Sequence, residues 1–599
     1  MEDSYRVLGY APDDARLSIE RHTDTKYPIT RFSSREEVDA RREELKFNLQ
    51  MSAGLYPWPD KTPLNVRRET VDVFDGYSID KIMFETRPGF WSTGNLFLPS
   101  PLPDKAPALL NVIGHWGEQR LHRSDKADYP QQISNFAKMG FICLVTDMIG
   151  MVDSRQISHD YGKGEKELWL SNGLGIMLWN NIRALDALCS IPEVDTANIG
   201  VTGASGGGSQ TLFLSLLDDR IKAAAPINMI SLHMQGGCQC ENAPSLRRHT
   251  DNVEMCAMLA PRPLFLAGSD GDWTKYLESD ELPAVLETYH WYGAEDMVEH
   301  FYQSAPHQYN AQTRHLVYQF FARHLMGKEI IWDEQPVAYE DLWSWTWFRG
   351  QGAAQGLIGN DEFLKVHKQD FSQRISKLSA DEKRRMIAWV ADVRPNNYRI
   401  IPLRSENVGD VLVEKSVVVG ENGEKLPLVK MTPSNADGKR VCLALSDKGK
   451  ACLDLAEMKT MLRNGVTLFS ADIFQTGESA ACKQSLRVNG VVYDNPIQPF
   501  HTTFNNTPDA FRVQDICLLT DLAAKPGCEL TLWAEGRSTR AVACALALVD
   551  GVKKAHLEAS ALRLQDDTDY YVGFSMPGIC AVGGLEGCLA LAKCDIKYF

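Results

Sequence analysis

The sequence lacks the segments that would export a protein or anchor it in a membrane. Its first residues, Met1 to Arg6, contain no basic region followed by an apolar core, so we expect no secretory signal. No apolar run approaches the ~20 residues that a membrane-spanning helix needs. We therefore expect a cytoplasmic protein without a membrane partner.

Positive charge is scarce, and the cysteines are not concentrated. The chain has 63 Lys and Arg against 78 Asp and Glu, a net charge of −15. A nucleic-acid partner would require a basic face, so this balance argues against one. The 14 cysteines are scattered over 599 residues, which favours free thiols over a disulfide framework. A chain of this length exceeds the ~250–300 residues that one core supports, so we expect several domains.

One short stretch carries the clearest chemical pattern. An apolar segment beginning at Ile199 leads into Gly203-Ala-Ser-Gly-Gly207, and an apolar, helix-like run follows over 211–217. Strand, Gly-x-Ser-x-Gly and helix in this order are typical of a nucleophile elbow, a tight turn that exposes the serine at the top of a sheet. We predict Ser205 as the nucleophile and the amide of Gly206 as an oxyanion donor. The simpler alternative is a glycine-rich turn in which Ser205 only caps the helix.

Strands and helices alternate around this stretch, which predicts a mostly parallel sheet with helices on both faces, the α/β-hydrolase fold. The expected strands cover 71–74, 78–85, 91–98, 108–113, 141–146, 223–229, 263–268 and 298–303. His115 and Trp116 follow the fourth of these strands. An α/β-hydrolase places its second oxyanion donor there, so the amide of either residue is a candidate.

Acid and base candidates occur downstream in the order that a catalytic triad requires. Asp270 and Asp272 follow one predicted strand, and His307 follows the last. The order Ser, Asp, His is that of the α/β-hydrolases. Both aspartates qualify by position. His315 and His324 fall inside the next predicted helix, and we interpret them as packing or surface residues.

A glycine-rich polar loop over 235–242 follows another predicted strand, where open α/β sheets bind their ligands. Cys238 and Cys240 suggest a metal, but no second Cys/His pair has matching spacing. We therefore predict no metal ligand and no cofactor. The loop is either a substrate-lining segment, with Gln235 and Glu241 as candidate substrate contacts, or a rigid turn.

The last 200 residues repeat part of this pattern. Residues 136–147 resemble 461–472, each with a helix end, a glycine, an apolar strand and an aspartate. The strand expected over 440–445 mirrors the one at 108–113. Such internal repetition indicates a tandem architecture.

The second copy departs from the first at the elbow. Residues 529–540 place Ser538 opposite the nucleophile but put Arg540 where the closing glycine should be. The sequence reaches Phe599 without equivalents of the acid and the histidine, so Ser538 lacks a base to activate it. We expect this half to be non-catalytic.

These patterns suggest four regions. They are an N-terminal helical arm (1–66), in which Ser34 opens a charged helix, a catalytic α/β-hydrolase domain (67–332), a helical connector (333–395) and a degenerate α/β-hydrolase-like domain (396–599).

Four motifs occur together in this chain: Gly-Ala-Ser-Gly-Gly-Gly-Ser-Gln at 203–210, Met-Gln-Gly-Gly-Cys-Gln-Cys-Glu-Asn at 234–242, Gly-Asp-Trp-Thr at 271–274 and Ala-Pro-His at 305–307. In this combination the sequence resembles bacterial acetyl xylan esterase-like α/β-hydrolases, large members of which carry a second, degenerate half. The resemblance implies a serine carboxylesterase that deacetylates (xylo-)oligosaccharides or related small esters. It also selects Asp272 over Asp270 and makes Trp273 a candidate substrate contact.

Other interpretations remain open. A glucuronoyl-type esterase and an α/β-hydrolase peptidase would use the same triad. A non-catalytic binding or scaffold protein is the alternative from a different class, and the complete triad order argues against it. The partner we expect is a small ester or acetylated oligosaccharide, with a homo-oligomer also possible.

Overall fold

The computed structural model describes residues 5–17, 21–481 and 500–599. The first four residues, which bear on the export prediction, and small parts of the predicted arm and last domain lie outside these ranges. The chain divides into two compact units: an N-terminal unit of residues 22–166 and 170–370, and a C-terminal unit of residues 1–21, 167–169 and 371–599. Among the described residues, no helix combines the length and apolar character needed to cross a membrane.

A nine-stranded sheet forms the centre of the N-terminal unit, with the order β1-β2-β3-β5-β4-β6-β7-β8-β9. Its strands are β1 (Arg67–Phe74), β2 (Tyr77–Arg87), β3 (Phe90–Pro99), β4 (Ala106–Val112), β5 (Ile142–Thr146), β6 (Val194–Ala204), β7 (Ile221–Ile227), β8 (Leu264–Gly271) and β9 (Val298–Pro306). Strands β1 to β3 are antiparallel and β3 pairs antiparallel with β5, whereas all later pairs are parallel.

Helices cover this sheet. They are α1 (Arg35–Ser52), α2 (Tyr129–Met139), α3 (Gly173–Cys189), α4 (Gly206–Leu217), α5 (Asn252–Ala257), α6 (Leu282–His290), α7 (Ala311–Phe321) and α8 (Asn360–Ser376). The central strand β5 is buried along its whole length, as expected for a parallel strand covered on both faces. Helix α7 contributes Val317, Phe320 and Phe321 to the core. The predicted α/β-hydrolase fold is confirmed.

The predicted domain boundaries do not coincide with these units. Helix α1 of the predicted arm is fastened to the N-terminal unit: Asn48 Nδ2 donates to the Leu246 carbonyl at 2.8 Å, and Arg42 Nε donates to the Met258 carbonyl at 2.8 Å. The predicted connector is split, because the division falls inside helix α8. Its first part belongs to the core, where the Trp345 side chain is fully buried.

The C-terminal unit contains an eight-stranded sheet with the order β10-β11-β12-β14-β13-β15-β16-β17. Its strands are β10 (Tyr398–Val408), β11 (Val411–Gly420), β12 (Lys425–Pro433), β13 (Arg440–Leu445), β14 (Thr467–Ala471), β15 (Glu529–Ala534), β16 (Val552–Leu557) and β17 (Asp595–Tyr598). Its helices are α9 (Ala380–Val390), α10 (Ala456–Arg463), α11 (His501–Phe504), α12 (Pro508–Ala523), α13 (Ser538–Ala545), α14 (Asp567–Gly573) and α15 (Gly584–Leu589).

The two sheets have the same strand order for eight strands. Both begin with three antiparallel strands, and both insert the fifth strand between the third and the fourth. The described part of the C-terminal unit has no counterpart of β9. The predicted tandem of hydrolase-like sheets is therefore confirmed, with a shorter second copy.

Candidate active site

The turn between β6 and α4 has the geometry of a nucleophile elbow. Ser205 adopts φ 59° and ψ −126°, a conformation that side-chain-bearing residues rarely adopt. The turn needs small neighbours: a Cβ on Gly203 or Gly207 would lie 2.2 or 2.4 Å from the Val112 carbonyl oxygen. The Ser205 amide donates to the Ile227 carbonyl at 3.0 Å. The structure thus holds Ser205 half-exposed at the carboxyl end of the sheet, where the sequence placed it.

A buried carboxylate and an imidazole meet at the same edge. Asp272 follows β8 and His307 follows β9, and His307 Nδ1 donates to Asp272 Oδ2 at 2.9 Å. Asp272 also accepts from Asn228 Nδ2 at 2.7 Å and from the Thr274 amide at 2.6 Å. Burial alone would raise the pKa of Asp272, but the hydrogen bonds from His307, Thr274 and Asn228 outweigh it and hold the pKa below its usual value. Asp272 is therefore a carboxylate that can orient the imidazole.

The competing acid and histidines lie elsewhere. The Asp270 carboxylate accepts from the Ala305 amide at 2.9 Å rather than from His307. In helix α7, His315 Nε2 lies 2.8 Å from Gln319 Nε2. His324, just beyond that helix, is 2.9 Å from Glu299 Oε1. The structure thus pairs His307 with Asp272, and the other two histidines have surface partners.

Asn228 is a member of this network that the sequence analysis missed. It follows β7 and has φ 47°, a left-handed conformation that asparagine tolerates better than most residues. The side-chain amide of Asn228, held in this backbone conformation, donates to Asp272. The sequence offered no indication of this role, because the strand predicted over 223–229 includes Asn228.

Two indole rings flank the His307 imidazole. The Trp116 ring is nearly parallel to it, with an interplanar angle of 3° and a centroid distance of 5.7 Å. Trp273 packs at 4.4 Å and 36°. Among the described residues, His307 Nε2 is buried and has no hydrogen-bond partner. The imidazole is therefore held in place, with one nitrogen on Asp272 and the other able to exchange a proton with a hydroxyl group.

The predicted oxyanion amides differ in availability. Gly206 begins helix α4, so its N–H has no acceptor within the helix and lies at the positive end of the helix dipole. The Trp116 amide donates to the Gly114 carbonyl at 2.9 Å and is already engaged. Among the described residues, no hydrogen bond occupies the His115 amide. Of the two candidates for the second donor, the structure therefore favours His115 over Trp116.

The loop carrying His115 passes beside the nucleophile. A Cβ on Gly114 would lie 3.2 Å from the Ser205 Cβ, and a Cβ on Gly206 would lie 2.7 Å from the His115 ring carbon Cε1. The side chains of His115, Ser205 and Trp116 therefore share one small region at the edge of the sheet.

Gln235 and Glu241 do not face a substrate surface. Gln235 is fully buried, and its Oε1 accepts from the Asn252 amide at 2.8 Å. Glu241 Oε1 accepts from Ser209 Oγ at 2.9 Å. Its Oε2 accepts from the Cys238 amide at 3.1 Å. Both residues fasten the 235–242 loop to its surroundings, which corrects their prediction as substrate contacts.

Cys238 and Cys240 have histidine partners that their spacing did not reveal. Cys240 Sγ is 3.3 Å from His115 Nε2, and Cys238 Sγ is 3.3 Å from His159 Nε2. The two histidine nitrogens are 3.1 Å apart. Spacing along the chain therefore could not identify the two histidines that accompany the cysteines, and His159 was not identified from the sequence.

Comparison with known proteins relates part of this chain to an esterase family. Residues 59–231 match the family model of acetyl xylan esterase (AXE1). The putative hydrolase YtaP of Bacillus subtilis (strain 168) is 25% identical in a match 289 residues long that covers 45% of this chain and 95% of that protein.

Among solved structures, methylesterase BT1017 is 27% identical with a TM-score of 0.46, covering 58% of this chain and 78% of its own. A putative acetyl xylan esterase (BF1801) from Bacteroides fragilis NCTC 9343 is 18% identical with a TM-score of 0.37, covering 49% and 85%.

The matched segment includes the strand, the Ser205 turn and helix α4. The family match supports a carboxylic ester hydrolase. The resemblance predicted from the motifs is therefore confirmed, with residues 59–231 matching the acetyl xylan esterase family model.

Proposed function

We propose that this protein is a serine carboxylesterase that acts through an acyl-enzyme, with Ser205 as nucleophile, His307 as general base and acid, and Asp272 as the group that orients the imidazole. One observation carries the proposal. The hydrogen bond of 2.9 Å between His307 Nδ1 and Asp272 leaves Nε2 without a partner among the described residues, at the sheet edge that holds Ser205 in its strained turn.

Acylation begins with attack of Ser205 Oγ on the ester carbonyl carbon. His307 Nε2 takes the hydroxyl proton as the new C–O bond forms. The imidazolium is then stabilised by the Asp272 carboxylate, which stays ionised. The tetrahedral intermediate collapses, the bond to the alcohol oxygen breaks, and His307 gives its proton to that oxygen. The alcohol leaves and the acyl group remains on Ser205.

Deacylation repeats the sequence with water. His307 Nε2 removes a proton from a water molecule as its oxygen attacks the acyl carbon, and then protonates Ser205 Oγ as that bond breaks. The acid leaves and the enzyme returns to its starting state. Both steps use side chains, backbone amides and water.

Negative charge on the carbonyl oxygen needs donors at the carboxyl end of the sheet. The Gly206 amide at the start of α4 is one, and the unengaged His115 amide is our candidate for the other. Loss of one such donor typically costs about 10²–10³-fold in rate. The helix dipole of α4 adds to the stabilisation.

The substrate we propose is an acetylated (xylo-)oligosaccharide or a related small ester. The family matched by residues 59–231 supports this choice. Trp273, packed on His307, offers an aromatic face at the site, and its contact with substrate stays a prediction.

A fluorophosphonate probe followed by intact-mass measurement tests the proposal. We expect one adduct on the wild type, none on Ser205→Ala, and acetate release from 4-nitrophenyl acetate by the wild type alone. Absence of labelling and turnover would favour a non-catalytic binding protein. Two adducts would mean that Ser538 also reacts. An acetylated xylo-oligosaccharide, a uronate methyl ester and a dipeptide amide, compared as substrates, then separate acetyl esterase, glucuronoyl-type esterase and peptidase.

A further inference from the structure

The side chains of two histidines and two cysteines converge beside helix α4, and none of these side chains has a part in the acyl transfer described above. Their ligand atoms, Nε2 of His115 and His159 and Sγ of Cys238 and Cys240, all lie within 4.8 Å of one another. They come from three loops, which follow β4, β5 and β7. We propose that these four residues bind one zinc ion in a closed tetrahedral site.

The distances fit a tetrahedron around such an ion. Zinc binds imidazole nitrogen at about 2.0–2.1 Å and thiolate sulfur at about 2.3 Å, so neighbouring ligand atoms of a regular site are about 3.3–3.8 Å apart. The two nitrogens are 3.1 Å apart, the His115–Cys240 and His159–Cys238 contacts are each 3.3 Å, and the remaining pairs of ligand atoms lie within 4.8 Å of one another. These three close pairs need to move apart by only a few tenths of an ångström to reach the separations of a tetrahedral zinc site.

The surroundings orient the ligands as metal sites usually do. His159 Nδ1 lies 2.9 Å from the Ile149 carbonyl oxygen, which can only accept, so Nδ1 carries the proton and Nε2 presents its lone pair to the cluster. A metal-bound histidine almost always donates its other N–H in this way. The Cys238 amide donates to the buried Glu241 carboxylate at 3.1 Å, which fixes the loop that carries both thiols.

The donor set identifies the ion and its role. Two thiolates and two imidazoles suit zinc, whereas magnesium and calcium prefer oxygen ligands. Four protein ligands leave no position for water or substrate, so the site is structural rather than catalytic. Two thiolate charges balance those of Zn²⁺, so the filled site is neutral.

Such a site would fix the loop next to the nucleophile. His115 contributes its ring to the cluster and its amide to the proposed oxyanion site, and its ring packs against the Gly206 backbone. Zinc would thus tie the 114–116 loop to the 235–242 loop and position the His115 amide. This consequence rests on the proposed function, whereas metal binding does not. His159, Cys238 and Cys240 are positioning residues in this scheme.

The test measures metal on the full-length protein, purified without a metal-affinity step and kept reduced. We expect one zinc ion per chain by elemental mass spectrometry. After chelation and reloading with Co²⁺, we expect the visible bands of a tetrahedral site and a thiolate-to-cobalt charge-transfer band. Cys238→Ser and His159→Gln should bind zinc at least ~100-fold more weakly, because loss of an outer-shell partner alone costs about 10–100-fold.

Matched variants show whether a change in zinc affinity or turnover comes from loss of a ligand at this site. Cys256→Ala, which removes a buried thiol of α5, and Ser205→Ala should both retain wild-type zinc affinity. His159→Cys, which restores a ligand atom, should bind more tightly than His159→Gln and slow ester turnover less, with the difference in kcat rather than KM.

Three results would overturn the proposal. They are no zinc or cobalt uptake by the reduced wild type, wild-type zinc affinity in Cys238→Ser and His159→Gln, or a loss of zinc affinity in Cys256→Ala as large as in those two variants. If a ligand variant does not fold, the cobalt spectrum of the wild type alone tests the proposal. Zinc binding with unchanged turnover in Ser205→Ala would instead refute the proposed nucleophile and leave the metal site standing.

Discussion

The two units share a strand order but differ at the turn where one of them would perform chemistry. In the N-terminal unit a serine, Ser205, has the left-handed turn conformation with φ 59°. In the C-terminal unit Gly536 has it, with φ 62°. Ser538, which the sequence aligned with the nucleophile, is instead the first residue of helix α13 and is buried. The residue with positive φ in this turn of the C-terminal unit is therefore a glycine, which has no side chain that could act as a nucleophile.

The helix that follows the turn is also used differently. Asp447, just after β13, accepts from the Arg537 amide at 2.7 Å and from the Ser538 amide at 2.7 Å. The equivalent strand in the N-terminal unit, β4, leads to His115, whose amide has no hydrogen-bond acceptor among the described residues. A carboxylate of the protein thus caps the helix where the N-terminal unit could bind a substrate oxyanion.

The third difference is the edge of the sheet. Strand β9 leads directly to His307, and the described residues of the C-terminal unit contain no ninth strand. The comparison teaches that the described residues of the C-terminal unit form the same sheet order without a turn serine, open helix amides or a ninth strand. The hydrogen-bonded sheet and its covering helices depend on none of them.

Paired serine variants give the largest expected difference. Ser205→Ala should reduce kcat for 4-nitrophenyl acetate by up to about 10⁶-fold, the scale seen when a triad nucleophile is removed. Ser538→Ala should leave kcat unchanged, because that hydroxyl is buried and hydrogen-bonded to Asp447. Steady-state turnover of both variants measures this. A large loss in Ser538→Ala with retained activity in Ser205→Ala would reverse the roles of the two units.

The aspartates after β8 provide the next test. Asp272→Asn should lower kcat by about 10⁴-fold, because an amide cannot hold the imidazole in the required tautomer. Asp270→Asn is the matched control and should change kcat little, since that carboxylate binds the Ala305 amide instead. Equal losses in the two variants would contradict the assignment of Asp272.

Backbone conformation at the two turns predicts opposite effects on stability. Gly536→Ala should lower the free energy of unfolding by about 2 kcal/mol, because it strains the backbone and places a Cβ 2.6 Å from Asp447 Oδ2. Ser205→Gly should raise it by about 1 kcal/mol by relieving strain. Gly527→Ala has a similar φ, 83°, in open space, and should cost about 1 kcal/mol. If thermal unfolding shows Gly527→Ala to be less stable than Gly536→Ala, the clash with Asp447 does not contribute as expected.

The smallest effect concerns acid stability. The pKa of Asp272 in the folded protein lies below its usual value. The ionised carboxylate therefore stabilises the fold at pH values above the pKa of Asp272 in the unfolded chain, which is about 3.9. That contribution is lost as the pH falls through the folded pKa. Asp272→Asn should therefore lose less stability than the wild type between about pH 6 and about pH 2. Melting temperatures of the wild type and Asp272→Asn that fall equally with decreasing pH would contradict this prediction.

Local patterns were enough to find the elbow and most of the sheet. Gly203 and Gly207 bracket Ser205 because strand and helix approach closely there, and that requirement is visible in the sequence. The loop contacts were not predictable in the same way. Gln235 and Glu241 look like exposed polar candidates, yet both are buried hydrogen-bond anchors.

The sequence by itself determined the fold class, the repeat and the order of a serine, two candidate aspartates and a histidine, because each follows from periodicity or from chain order. The motif resemblance favoured Asp272, but only the tertiary structure shows which aspartate contacts His307 and which residues join Cys238 and Cys240. His115 and His159 are 44 residues apart, and His159 is 79 residues from Cys238. The carboxyl ends of parallel strands bring their loops to one edge of the sheet, and spacing along the chain does not encode the distances between loops there.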